Sequence, residues 1–151
     1  MSDTSTLGPG LTGHASTVVT EDKTAYALGS GNVKVYSTPS LIALLEAAAI
    51  DALQSRLEAG QTSVGTSLNI RHVAATPIGM TVNAAATLKE VDGRRLVFEV
   101  SASDEVELIG QGTHERFLVD HERFERRVRD KQRGFAEQGG AAAAETARGS
   151  R

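Results

Sequence analysis

A chain of 151 residues, 40% of them hydrophobic, is the size of one domain with apolar surface for one core, so two independently folded domains are not expected. A net charge of -3 and a pI near 5.8 exclude a broad electropositive surface, so nucleic acid and anionic membrane are not expected as partners. The absence of cysteine excludes disulfides, thiol nucleophiles and cysteine metal sites.

The start, MSDTSTLGPG, has no basic stretch followed by an apolar run, and no segment of about 18 apolar residues occurs elsewhere. A cytoplasmic protein is the expectation. Residues 1–11 are rich in Ser, Thr, Gly and Pro and read as a flexible lead-in, residues 12–133 as the folded domain, and 134–151 as a tail. A first strand is predicted over 14–20, followed by a Gly-rich approach over 27–36, ALGSGNVKVY. The strongest element is a helix over 39–59: Thr38 can cap it, Pro39 suits its first position and Gly60 its end. Leu41, Ile42, Leu45, Ala49, Ile50, Leu53 and Leu57 recur at three- and four-residue spacings and define its buried stripe.

Beyond Gly60 the pattern turns to strands, predicted over 64–75, 80–91, 94–103 and 106–120, with turn signals at Thr76-Pro77-Ile78-Gly79, Asp92-Gly93 and Ser103-Asp104. Short turns imply antiparallel neighbours, hence a four-strand meander with the first strand added at an edge. One long helix and a curved antiparallel sheet around it make an α+β domain of hot-dog type. A charged surface helix is predicted over 121–133, with Phe124, Val128 and Phe135 to dock it.

Glu46 falls on the apolar stripe, where an unpartnered carboxylate is costly and its pKa rises toward that of a general acid or base. It reads equally as a structural carboxylate paired with an arginine. His72 shares a strand face with Leu68 and Ile70; if that face meets the helix, it approaches Glu46 and suits acid/base work, and otherwise it is a satisfied core or surface histidine. Thr38 is at least an N-cap, and the free N–H groups of the first helical turn suit an oxyanion. Eight helical residues put Thr38 about 12 Å from Glu46, so a thioester or a water would have to link them. His14, His114 and His121 lack metal-ligand spacing, the GSG of Gly29-Ser30-Gly31 has no phosphate-loop or dinucleotide context, and neither metal nor cofactor is expected. The basic run 122–133, with its interleaved acids, reads as a solvated face or as a contact for CoA phosphates.

Three blocks, VYSTPSLIALLEAAAIDAL, SVGTSLNIRHVAATPIGMTV and VDGRRLVFEVSASDEVELIGQGTHERF, resemble the fluoroacetyl-CoA thioesterase family of hot-dog proteins and cover most of residues 35–117. The resemblance implies that Thr38, Glu46 and His72 are catalytic, and that Gly65 and Arg116, with His72, contact substrate. It implies hydrolysis of a short or small acyl-CoA, with the carboxylate attacking the thioester itself or activating water and histidine assisting proton transfer. Upstream of Thr38 the chain departs from the family's aromatic-rich lid, since ALGSGNVKVY carries only Tyr36, which points to a broader or different short acyl group. A hot-dog hydratase or dehydratase and a noncatalytic acyl-CoA-binding protein are the alternatives. An exposed sheet edge implies at least a homodimer, with sites near its interface.

Overall fold

The computed structural model describes residues 7–139. In chain order it runs β1 (Thr12–Val18), a 3-10 turn (Glu21–Lys23), α1 (Ala25–Leu28), α2 (Thr38–Leu53), β2 (Gln61–His72), β3 (Thr81–Asp92), β4 (Arg95–Ser103), β5 (Leu108–Asp120) and α3 (His121–Glu137). All pairings are antiparallel, in the order β1-β3-β4-β5-β2. This is the expected α+β hot-dog arrangement, but the meander contains only β3, β4 and β5. The link from β2 to β3 is longer than a hairpin turn, and it carries β3 across to the far side of β4, leaving β2 at the edge beside β5. Thr76 anchors that link through its buried hydroxyl, which donates to Asp104 Oδ2 at 2.8 Å.

The core lies between α2 and one face of the sheet. Leu41, Leu45, Ala48, Ala49, Ala52 and Leu53 pack on Val82, Ala84, Ala86 and Leu88 of β3 and on Leu96, Phe98 and Val100 of β4. The alternation of buried and accessible positions along β3 and β4 is the period-2 signature of a half-buried sheet. Helix and sheet meet most closely at β1, where a Cβ on Gly13 would lie 2.2 Å from the Ala48 carbonyl oxygen. Any side chain there would push α2 off the sheet.

Helix α2 differs from expectation at both ends. It stops at Leu53 rather than Ala59: Arg56 N–H turns back to the Leu53 carbonyl, a tightened last turn, and of the remaining apolar positions only Leu57 reaches the core, and only partly. Its cap is Ser37, whose Oγ accepts from Ser40 N–H at 3.1 Å, so Thr38 and Pro39 are the first two helical residues. Ile50, expected in the stripe, is half exposed.

Two boundary expectations and one docking expectation also change. Leu7 and Leu11 pack against the core, and Gly10 N–H and the Leu11 carbonyl both bond Leu88, so the described part of the lead-in is an extension of the domain. Helix α3 continues through Gly134 to Glu137; the rest of the expected tail, from residue 140, lies outside the described residues, as do residues 1–6. No α3 residue is fully buried, and Val128 and Phe135 stand exposed rather than docked. Among the described residues no helix is long and apolar enough to cross a membrane.

Candidate active site

The expected residues form two clusters along α2. At its N-terminus Thr38 Oγ1 lies 2.8 Å from His72 Nδ1 at the end of β2. Because Ser37 performs the capping, the Thr38 hydroxyl is released for this contact. Burial lowers the pKa of His72 below its ordinary 6.5, with the Ala74 backbone opposing the shift, so the ring is held toward its neutral form. Among the described residues its Nε2 is buried without a hydrogen-bond partner. The two residues border a recess of about 310 Å3 with Ala25, Val35, Tyr36 and Ala74 in its wall. Tyr36 donates its hydroxyl to the Ser40 carbonyl, and burial pushes its pKa up to about 12, so it remains a phenol. The first helical turn is a poorer anion site than expected. Pro39 has no N–H and Ser40 N–H is taken by the cap, which leaves at most the Thr38 N–H.

The second cluster lies two turns further along. Glu46 is not sealed in the core: its side chain is 35% exposed, and its Oε2 accepts from Arg116 Nη1 at 3.2 Å. Arg116, on β5, is buried. Its Nε donates to Ser63 Oγ at 2.8 Å and its Nη2 to the Ser63 carbonyl at 3.1 Å. Gly65 makes room for the carboxylate, since a Cβ there would stand 2.3 Å from Glu46 Oε2. Glu46, Gly65 and Arg116 are thus brought together as one group, and Thr38 with His72 as another. The expected approach of His72 to Glu46 does not occur within one chain, since His72 closes on Thr38, eight residues up the helix and about 12 Å of axial rise away.

A bulge explains how Gly65 and His72 both face the helix. Seven residues apart, they would lie on opposite faces of a regular strand. Between Gly65 and Ser67 the register against β5 slips by one: Gly65 pairs with Arg116 and Ser67 with Glu115, leaving Thr66 over, its hydroxyl donating to the Glu115 carbonyl. The extra residue reverses parity, so Ser63 and Gly65 before it and Leu68, Ile70 and His72 after it share the inward face.

Sequence reasoning missed three residues of the site: Ser37, Ser63 and His114. For His114 the signal was available, because His114, Arg116 and Leu118 share one parity on β5 and thus one buried face. A larger depression of about 530 Å3 lies on the outward face of the sheet around Arg71, Glu99 and Gln111 and contains none of the expected site residues. Among the described residues no group of three or more His, Asp or Glu is placed to hold a metal ion.

A curled five-stranded antiparallel sheet around one helix is the hot-dog architecture of the thioesterase superfamily. Consistent with this, the chain is similar to a thioesterase superfamily member from Thermus thermophilus, at 27% identity and a TM-score of 0.81 over 87% of this chain and 98% of that one. The family model described as fluoroacetyl-CoA-specific thioesterase matches residues 19–122, and the chain belongs to that family. It is 45% identical over 98 residues to the fluoroacetyl-CoA thioesterase of Streptantibioticus cattleyicolor, covering 65% of this chain and 70% of that protein. A solved structure of the fluoroacetyl-CoA thioesterase FlK superposes with a TM-score of 0.78 at 38% identity, over 83% of this chain and 98% of that one. The chain is therefore a thioester hydrolase.

Proposed function

We propose that this enzyme hydrolyses a small acyl-CoA to the free acid and CoA, with Thr38, Glu46 and His72 as its catalytic groups and Gly65 and Arg116 shaping the substrate site. The observation that carries this reading is the Thr38–His72 pair beside a recess, with a neutral-leaning imidazole whose Nε2 has no hydrogen-bond partner among the described residues. The acyl group occupies the recess and the thioester carbon sits between the Thr38–His72 pair of one protomer and Glu46 of a second copy of the chain. Glu46 either attacks that carbon, giving an anhydride that water opens, or takes the proton of an attacking water. In both routes the C–S bond breaks and the departing thiolate is protonated with help from His72. Thr38 orients the imidazole. The wall residues Ala25, Val35 and Ala74 are small, which suits short acyl groups beyond the fluoroacetyl that the relatives are named for.

The same reading makes the enzyme a cytoplasmic homodimer with shared sites. Among the described residues strand β2 pairs only with β5, so its other edge is a template for a second chain. Two-fold antiparallel pairing of β2 with its copy, centred on Asn69 and with the bulged Thr66 left over, sets Gly65 of one protomer opposite His72 of its partner. Glu46 of one chain then completes the Thr38–His72 cluster of the other.

One experiment tests chemistry and assembly together: thiol release from a panel of acyl-CoAs by the wild type, by Glu46→Gln, by His72→Ala, and by the two variants unfolded and refolded as a mixture. Each variant alone should be nearly inactive. The mixture should recover about a quarter of wild-type turnover, because half the dimers are hybrids and each hybrid has one intact site. No thiol release from any ester by the wild type would defeat the hydrolase reading, and no recovery on mixing would defeat the shared site.

A further inference from the structure

Beneath the Glu46–Arg116 pair is a histidine with no part in the chemistry above. His114 is fully buried on β5, its ring stacked on Phe98 with centroids 6.2 Å apart. Its Nδ1 lies 2.9 Å from the Ser67 backbone oxygen. A carbonyl only accepts, so Nδ1 carries the proton. Its Nε2 lies 3.2 Å from Arg116 Nη1, and a guanidinium only donates, so Nε2 presents its lone pair. The two contacts together specify one neutral tautomer. Burial, reinforced by the Arg116 charge, disfavours the protonated ring against the opposing pull of the Ser67 carbonyl and Glu46.

The consequence concerns Arg116. Its Nε and Nη2 are fixed by Ser63, and Nη1 has two hydrogens, one for Glu46 Oε2 and one for His114 Nε2. With both taken, the guanidinium plane cannot pivot about its bonds to Ser63. The three groups converge over Gly65, where an added Cβ would lie 2.3 Å from Glu46 Oε2, 3.3 Å from Arg116 Nη1 and 3.4 Å from His114 Cε1. His114 also bonds the Ser67 carbonyl, beside the bulged Thr66, so the same ring ties the strand irregularity to the arginine.

We propose that His114 is a positioning residue that sets Glu46 for reaction through Arg116, an assignment that rests on the role given to Glu46 above. The test uses two amides that divide the ring's functions. Asparagine at 114 retains a donor near Nδ1 for Ser67 and offers Arg116 no acceptor, whereas glutamine can place its carbonyl oxygen near Nε2. His114→Asn should lower kcat by about 10- to 100-fold with little change in KM, and His114→Gln should recover most of that loss at a similar melting temperature. Wild-type kcat in both variants, or equal losses that follow melting temperature, would overturn the proposal. Glu46→Gln serves as the reference. If it is inactive while His114→Asn is fully active, this proposal alone falls; if it is itself active, the reading beneath falls as well. Should neither amide variant fold, 15N chemical shifts of the wild-type imidazole at neutral pH decide: a charged ring, or a proton on Nε2, would overturn the assignment.

Discussion

The two clusters along α2 are built on opposite terms. Around Glu46, the guanidinium of Arg116 has a partner at each of its three nitrogens, both nitrogens of His114 are bonded, and Gly65 is bare where the carboxylate lies. Around Thr38 the partnering thins: one side-chain hydrogen bond reaches His72, the Ala74 backbone acts on its ring, and Nε2 is buried without a hydrogen-bond partner among the described residues. An unpaired buried polar group costs roughly 1–3 kcal/mol, which a fold tolerates where a ligand supplies the missing contact. One cluster is fully bonded within the chain; the other is left open beside its recess.

The largest effect that would test this contrast is that of Glu46→Gln. Turnover should fall by about 10^2- to 10^4-fold. Stability should fall by only about 1–2 kcal/mol, because Glu46 is partly solvated and Arg116 keeps Ser63 and His114. Activity measured beside a denaturation curve separates the two, and turnover that merely follows the folded fraction would make Glu46 a structural ion-pair partner and nothing more. A smaller and more discriminating comparison sets Thr38→Val against Ser37→Ala. The valine should cut kcat by about tenfold and leave the melting temperature alone, since Thr38 is not the cap; the alanine should cost about 1 kcal/mol of stability with little change in kcat. A reversal of these two patterns would return Thr38 to a capping role. The smallest effect is on acid stability. His72 and His114 both titrate below 6.5 in the folded protein, so as pH falls through 6.5 the unfolded chain takes up protons first and the folded state loses stability. Melting temperature should decline from pH 7 toward pH 5, and a flat profile there would mean that the two rings are not held neutral.

Much of this was legible in the sequence. The stripe of α2, the alternation of β3 and β4 and the glycine turn at Gly93 are local patterns, and they gave the architecture. Glu46 and His72 stood out because polar groups on apolar faces are informative, and Thr38 because it stands where a helix cap is expected. What was hidden depends on contacts distant in sequence. Nothing local says that β2 pairs with β5 across the sheet, or that Arg116, 70 residues on, reaches Glu46. Ser37 and Thr38 are adjacent hydroxyls that can each cap a helix, and Pro39, which suits the first helical position, pointed to Thr38 when Ser37 is the cap. The bulge left a faint trace, a glycine followed by two hydroxyl residues inside a strand.

That single surplus residue, Thr66, acts on β2 as a frameshift acts on a message. Everything before it is read in one phase and everything after it in the other, and the site needs both phases at once. Deleting Thr66 would leave a smoother ladder with a more regular hydrogen-bond pattern, yet it would turn either Gly65 and Ser63 or His72 and Ile70 to the wrong side of the sheet. Length changes in this strand are therefore compatible with the site only in pairs of residues, and a lone insertion or deletion between Ser63 and His72 is the smallest edit that would dismantle it while leaving every side chain of the site in the sequence.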